Sequence, residues 1–89
     1  MMYDLEFKEG VEKQFHKLAK KNPKEMDIID KKIAQIREYP YHFKPLKKPM
    51  ANKRRVHVVG SMVLVYVIDE ATKTVIIFDY DDHDNIYKK

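Results

Sequence analysis

The chain has 89 residues, which allows one domain with a modest core. Its hydrophobic fraction of 44% suits a globular protein, and with no cysteine it can build neither a disulfide framework nor a thiolate zinc site. The formal charge of +4 is unevenly spread: residues 1–60 hold 15 Lys/Arg against 8 Asp/Glu, whereas residues 61–89 hold 3 against 6.

The first ten residues carry Asp4, Glu6, Lys8 and Glu9, unlike a secretory signal. The longest apolar run, Met62 to Ile68, is far short of the ~20 residues that span a bilayer. A soluble, cytoplasmic domain covering residues 1–89, with no membrane partner, is the expectation.

Tyr3, Leu5 and Phe7 alternate with Asp4 and Glu6, the period-2 pattern of a half-buried strand. A helix is predicted from about Lys8 to Lys21, because Val11, Phe15 and Leu18 share one face. Its early Glu9 and Glu12 and late Lys20 and Lys21 suit the helix dipole. Asn22-Pro23 ends that helix and starts another. Asn22 is placed as an N-cap, Pro23 suits the first helical position, and Glu25 completes a capping box. Met26, Ile29, Ile33 and Ile36 form a continuous apolar seam up to about Tyr39, and Pro40 stops the helix.

Residues 41–52 read as a loop with Pro45 and Pro49, followed by three strands. In Arg54 to Val59, Val56 and Val58 fall on one face and Arg55, His57 and Val59 on the other. Gly60-Ser61 fits a two-residue hairpin turn. Met62 to Ile68 has the nearly unbroken apolarity of a strand covered on both faces, and Val75 to Tyr80 is the last strand. The tail, residues 81–89, is polar, with Ile86 and Tyr87 as anchors on a short helical turn.

The order β-α-α-β-β-β predicts an α+β domain, with a helical hairpin packed on one face of a twisted, mainly antiparallel four-stranded sheet. The other face then carries His57, the basic loop at one edge and the tail at the other. Without a second covering layer it is the natural binding surface.

There is no metal-ligand spacing, no Gly-rich phosphate loop and no nucleophile elbow, so neither metal nor cofactor is expected. Six basic residues and no acidic one lie between Lys44 and Arg55: Lys44, Lys47, Lys48, Lys53, Arg54 and Arg55. Such a block favours a polyanion or an acidic partner, or is simply a solvated loop. Of the four histidines, His16 follows Phe15 and faces solvent, and His42 lies in the loop; both read as structural or incidental. His57, among valines, suits either a hydrogen-bonded structural residue or a catalytic group. His83 shares a helical face with Tyr87 if the tail is helical.

Three segments together resemble the RelE/ParE superfamily of toxin–antitoxin toxins, in its branch of ribosome-dependent messenger-RNA endonucleases. They are Lys44-Pro45-Leu46 before the first C-terminal strand, the strand Met62-Val-Leu-Val-Tyr-Val-Ile-Asp69, and the closing His83-Asp-Asn-Ile-Tyr87. The order of elements and the chain length also agree. The resemblance implies RNA cleavage by the RNA's own 2′-oxygen, without a metal. Matched by position, it assigns Lys44, His57, His83 and Tyr87 to the catalytic site and Lys47, Lys48, Lys53, Arg54 and Arg55 to phosphates of the message or of ribosomal RNA. It also implies a cognate antitoxin of the RelB type, a toxin–antitoxin hetero-oligomer, and the ribosome and messenger RNA as targets. Two departures stand out. Where the family usually carries an Arg near the end of the last strand, this chain reads Phe78-Asp79-Tyr80-Asp81-Asp82, and the turn position that tends to be acidic is Ser61. The carboxylates favour an acid role for His83 but repel RNA. The same fold therefore also admits a non-enzymatic toxin of the gyrase-binding type, or a catalytically degenerate antitoxin-binding module.

Overall fold

The computed structural model describes residues 2–47 and 52–88. Asp4–Phe7 forms β1, and its alternation turns Leu5 and Phe7 towards the core while Asp4 and Glu6 stay exposed. The next helix, α1, spans Val11–Lys21 and starts later than Lys8. The backbone gives the reason. The Lys8 N–H is still committed to the sheet, donating to the Ile77 carbonyl at 2.9 Å, and Gly10 adopts φ +92°. Helical geometry cannot begin until that left-handed residue is passed.

Asn22 caps α2, Pro23–Glu38, as its spacing requires: its side-chain oxygen accepts from the Glu25 N–H at 3.1 Å. The helix ends two residues before Pro40, which has no N–H to continue it. Three strands follow: β2 (Lys53–Val59), β3 (Met62–Asp69) and β4 (Thr74–Asp82). The chain closes with a six-residue helix, α3, His83–Lys88. The sheet order is β1-β4-β3-β2, with β1 parallel to β4 and the other neighbours antiparallel. Among the described residues, no helix is long and apolar enough to cross a membrane.

Both helices of the hairpin pack on one face. Val11 and Phe15 of α1 and Ile29, Ile33 and Ile36 of α2 meet Val56, Leu64, Tyr66, Val75, Ile77 and Tyr80 of the sheet. Two aromatic hydroxyls inside this layer find partners. Tyr80 donates to the Glu25 carboxylate at 2.6 Å, and Tyr66 donates to the Pro40 carbonyl at 2.5 Å. Burial pushes the Tyr66 phenol up to about 12. Tyr66 thus ties the central strand to the residue just beyond α2. Replacing it by Phe leaves the Pro40 carbonyl unpaired, with an expected loss of about 1–3 kcal/mol in a urea melt.

At the β3–β4 turn, Glu70 accepts from the Tyr41 hydroxyl at 2.5 Å, from the Tyr3 hydroxyl at 3.0 Å and from the Lys73 ammonium. The Lys73 and tyrosine hydrogen bonds hold its carboxyl down, from 4.5 to about 2. The depressed value means that its contribution is complete above the ordinary carboxylate range and is lost as pH falls through about 2. Thermal melts of Glu70→Gln should therefore show a shallower acid dependence than the parent between those two values, and curves of equal slope would remove Glu70 from acid unfolding.

Candidate functional site

The opposite sheet face is built by the other half of the strand alternation. Arg55 pairs with Val65 and His57 with Val63 across β2 and β3, and Val63 and Val65 in turn pair with Asp81 and Asp79 of β4. Directly opposed residues share a face, so Arg55, His57, the two valines and the two aspartates line the side away from the hairpin.

This face is not left bare, as the sequence suggests it would be. The tail folds back over the sheet and α3 lays Ile86, 3% exposed, onto Val63, Val65 and Leu46, with Phe78 beside them. A second small core results. The tail therefore sits over the central strands, next to β2, and not at the far edge from the basic loop. The polar residues that lead into α3 fix its course. The His83 N–H donates to the Ser61 carbonyl at 2.7 Å. Asp82 accepts from the Asp84 N–H at 3.0 Å, an N-cap contact, and also from the Ser61 hydroxyl. Those two hydrogen bonds, Ser61 foremost, hold the Asp82 carboxyl below its ordinary value. Asn85 donates to Asp81 at 3.1 Å.

With α3 so placed, the two histidines meet. The rings of His57 and His83 lie nearly parallel, 10° apart, with centroids 5.9 Å apart. Tyr87, one helical turn on, stands 4.4 Å from the His83 ring. Arg55 reaches in from β2: its Nη1 lies 3.2 Å from His57 Nε2, and its guanidinium carbon 6.0 Å from the centre of the Tyr87 ring. A guanidinium can only donate, so in this hydrogen bond His57 Nε2 is the acceptor. His83 Nδ1 instead faces a carboxylate, Asp84, at 3.6 Å. The two imidazoles thus have unlike neighbours, a guanidinium beside His57 and a carboxylate beside His83.

The remaining expected residues divide. Pro45 bridges Arg54 in antiparallel register, with Arg55 N–H donating to the Lys44 carbonyl at 3.1 Å and Leu46 N–H to the Lys53 carbonyl at 2.8 Å. The segment 44–46 therefore borders β2, and its register puts Lys44 on the face of Arg55. Lys53 shares that face, with its ammonium 4.5 Å from the centre of the Phe78 ring. Arg54 does not join them. Strand alternation sends it to the hairpin side, where Nη1 donates to the Phe43 carbonyl at 2.7 Å and the guanidinium carbon sits 5.1 Å from the Tyr41 ring centre. It shapes the loop rather than the face. Lys47 is exposed on the loop, and Lys48 lies outside the described residues. Among the described residues, no three His, Asp or Glu side chains converge as a metal-ligand set.

Two residues of this face are not singled out by the sequence pattern. Lys8, just past β1, has its ammonium 3.9 Å from the centre of the Phe78 ring. Phe78 itself falls where the β3–β4 register shifts: Val65 pairs with Asp79 and Tyr66 with Ile77, which leaves Phe78 as the extra residue of a bulge. A signal for it is present, since Phe78 is out of phase with Val75 and Ile77.

Comparison with known proteins agrees with this architecture. The chain is 44% identical over 88 residues to a candidate toxin, RelE4, of Methanocaldococcus jannaschii, spanning 99% of this chain and 94% of that one. The chain belongs to the RelE family of toxins. No family model matches it. Solved RelE structures share its fold. The toxin–antitoxin complex RelBE2 of Mycobacterium tuberculosis contains a chain 24% identical with a TM-score of 0.75, covering 92% of each chain. A free mutant of E. coli RelE is 22% identical with a TM-score of 0.76, covering 99% of this chain and 93% of that one. Within the RelE frame the acidic end of β4 has a visible use. Asp81 and Asp82 accept hydrogen bonds at the start of α3, so their carboxylates are engaged in holding the helix that carries His83.

Proposed function

We propose that this RelE-family toxin cleaves messenger RNA on the ribosome and is held in check by an antitoxin. The observation that carries the reading is the convergence of His57, His83, Tyr87 and Arg55 beside α3 on one side of the sheet, with two imidazoles 5.9 Å apart in unlike surroundings.

Such a pair supplies a base and an acid for transesterification. His57 Nε2 takes the 2′-OH proton. The 2′-oxygen forms a bond to the adjacent phosphorus, the bond from phosphorus to the 5′-oxygen breaks, and His83 delivers a proton to that leaving oxygen. The products are a 2′,3′-cyclic phosphate and a 5′-hydroxyl. Arg55 leaves His57 Nε2 for the phosphate, where its fixed charge offsets the charge that develops in the transition state. Lys44, on the same face, adds to that field. Tyr87 offers its ring to a base, or its hydroxyl to the proton transfer.

The antitoxin partner is supported by the M. tuberculosis relative, which was solved as a toxin–antitoxin complex. The short outer strand β1 and the basic border of β2 suit an extended and acidic partner segment. Purified protein added to a cell-free translation reaction tests the activity. Message 5′ ends should map inside translated codons. An intact message with undiminished translation would instead support a toxin that acts by binding.

A further inference from the structure

The sheet face extends past the two histidines to a place that the reaction above does not use. Phe78 alternates with Val75 and Ile77, which face the hairpin, so it lies half-buried on this opposite face, at the bulge of β4. Lysines from two different elements converge on it, Lys8 after β1 with its ammonium 3.9 Å from the ring centre and Lys53 of β2 at 4.5 Å. Lys53 and His57 are four residues apart on the same strand and the same face, ~13 Å at 3.3 Å per residue. The lane from His57 through Arg55 to Lys53 is continuous and positively charged.

We propose that Phe78, flanked by Lys8 and Lys53, is a subsite for the base and phosphate of a single-stranded RNA nucleotide flanking the one that is cut. The proposal rests on the nuclease reading for its context and adds a binding site to it. A lysine resting on a half-buried ring at the surface is weakly held, and stacking a nucleobase on that ring is the stronger interaction. A base arriving on Phe78 therefore displaces the ammonium groups, which are already beside the phosphate that follows. The ring has no donor or acceptor, so the subsite takes any base; it adds affinity and register, not sequence choice. Asp79 shares the face but turns one carboxylate oxygen onto the Tyr80 N–H at 2.8 Å. An acidic peptide would find the same two lysines. Their alignment with the histidine lane favours RNA.

Binding of a short, fully 2′-O-methylated single-stranded RNA, which cannot be cleaved, can be followed by fluorescence anisotropy at low salt. Phe78→Leu keeps the apolar packing against Ile86 and removes the ring. It should weaken binding about 10-fold, within the range for one stacked base. Lys8→Ala with Lys53→Ala should lower the salt slope by about 1.4, as for two phosphate contacts on a single strand. No binding by the parent, or equal binding by all variants, would overturn the subsite. Unchanged RNA binding together with weakened antitoxin binding would reassign it to the partner peptide. If the parent cuts translated message while Phe78→Leu binds normally, the subsite fails alone. If the variants weaken binding but the parent never cuts, the subsite stands and the nuclease reading fails.

Discussion

Replacing His57 by Ala should slow cleavage of a translated message by about 10²–10⁴-fold, the usual worth of a general base. His57 is exposed on its strand, so the loss should come with little change in melting temperature. His83→Ala should cost a similar factor through the opposite half of the proton transfer. Since both imidazoles serve one step, their losses should not multiply, and the double variant should fall scarcely below the worse single one. The pH–rate profile separates their roles. A base must be free of its proton, so loss of His57 should abolish the acid limb, and loss of His83 the alkaline limb. Retention of both limbs in both variants would leave the imidazoles as contact residues and hand the chemistry to other groups. Arg55→Ala should reduce rate more than ribosome association, because the guanidinium serves the developing charge on the phosphate.

The fold is largely legible in the sequence because its signals are local. The alternation of β1, the Asn22 cap and the isoleucine seam of α2 each needs only a few neighbouring residues to be read, and each is found in place. The helix α1 starts three residues beyond Lys8, since the Lys8 bond to Ile77 is a pairing across the whole chain that no local pattern announces. The site is partly legible. The period-2 rule separates Arg55 and His57 from Val56, and the same rule, applied to Arg54, places it on the hairpin side. Composition alone picks out the basic block from Lys44 to Arg55, and composition does not see faces. The meeting of His57 with His83 is beyond residue pattern alone. It depends on where α3 lands, and that is settled by Ser61 of the β2–β3 turn together with Asp82 and Ile86 of the tail, residues from two different parts of the chain. By charge alone the acidic stretch is an obstacle to RNA, whereas much of it is hydrogen-bonded into the α3 entry.

Ile86→Ala should therefore disable the toxin while barely disturbing the main core. α3 has six residues, far fewer than an isolated helix needs to persist in water. Its place is held by hydrogen bonds at its start, the Asp82 cap with the His83–Ser61 and Asn85–Asp81 contacts, and by the insertion of Ile86 among Leu46, Val63 and Val65. A cap is worth about 1 kcal/mol, and truncating a buried Ile to Ala costs about 2–5 kcal/mol. The apolar anchor is the one removed, and the solvent-accessible hydrogen bonds at the start of α3 are too weak to keep the helix docked. The helix can detach without opening the hairpin-side core, because Ile86 packs in the separate small cluster. The cost to global stability is then limited to the docking energy of α3. Amide exchange should lose protection across residues 83–88 while α2 and β3 keep theirs, and cleavage should fall at least 10-fold because His83 leaves His57. Ile86→Val, which keeps most of the volume, should retain both docking and activity. An Ile86→Ala protein that keeps α3 protected, or that cuts message at the parent rate, would show that docking does not depend on this contact and that the alignment of the imidazoles has another source.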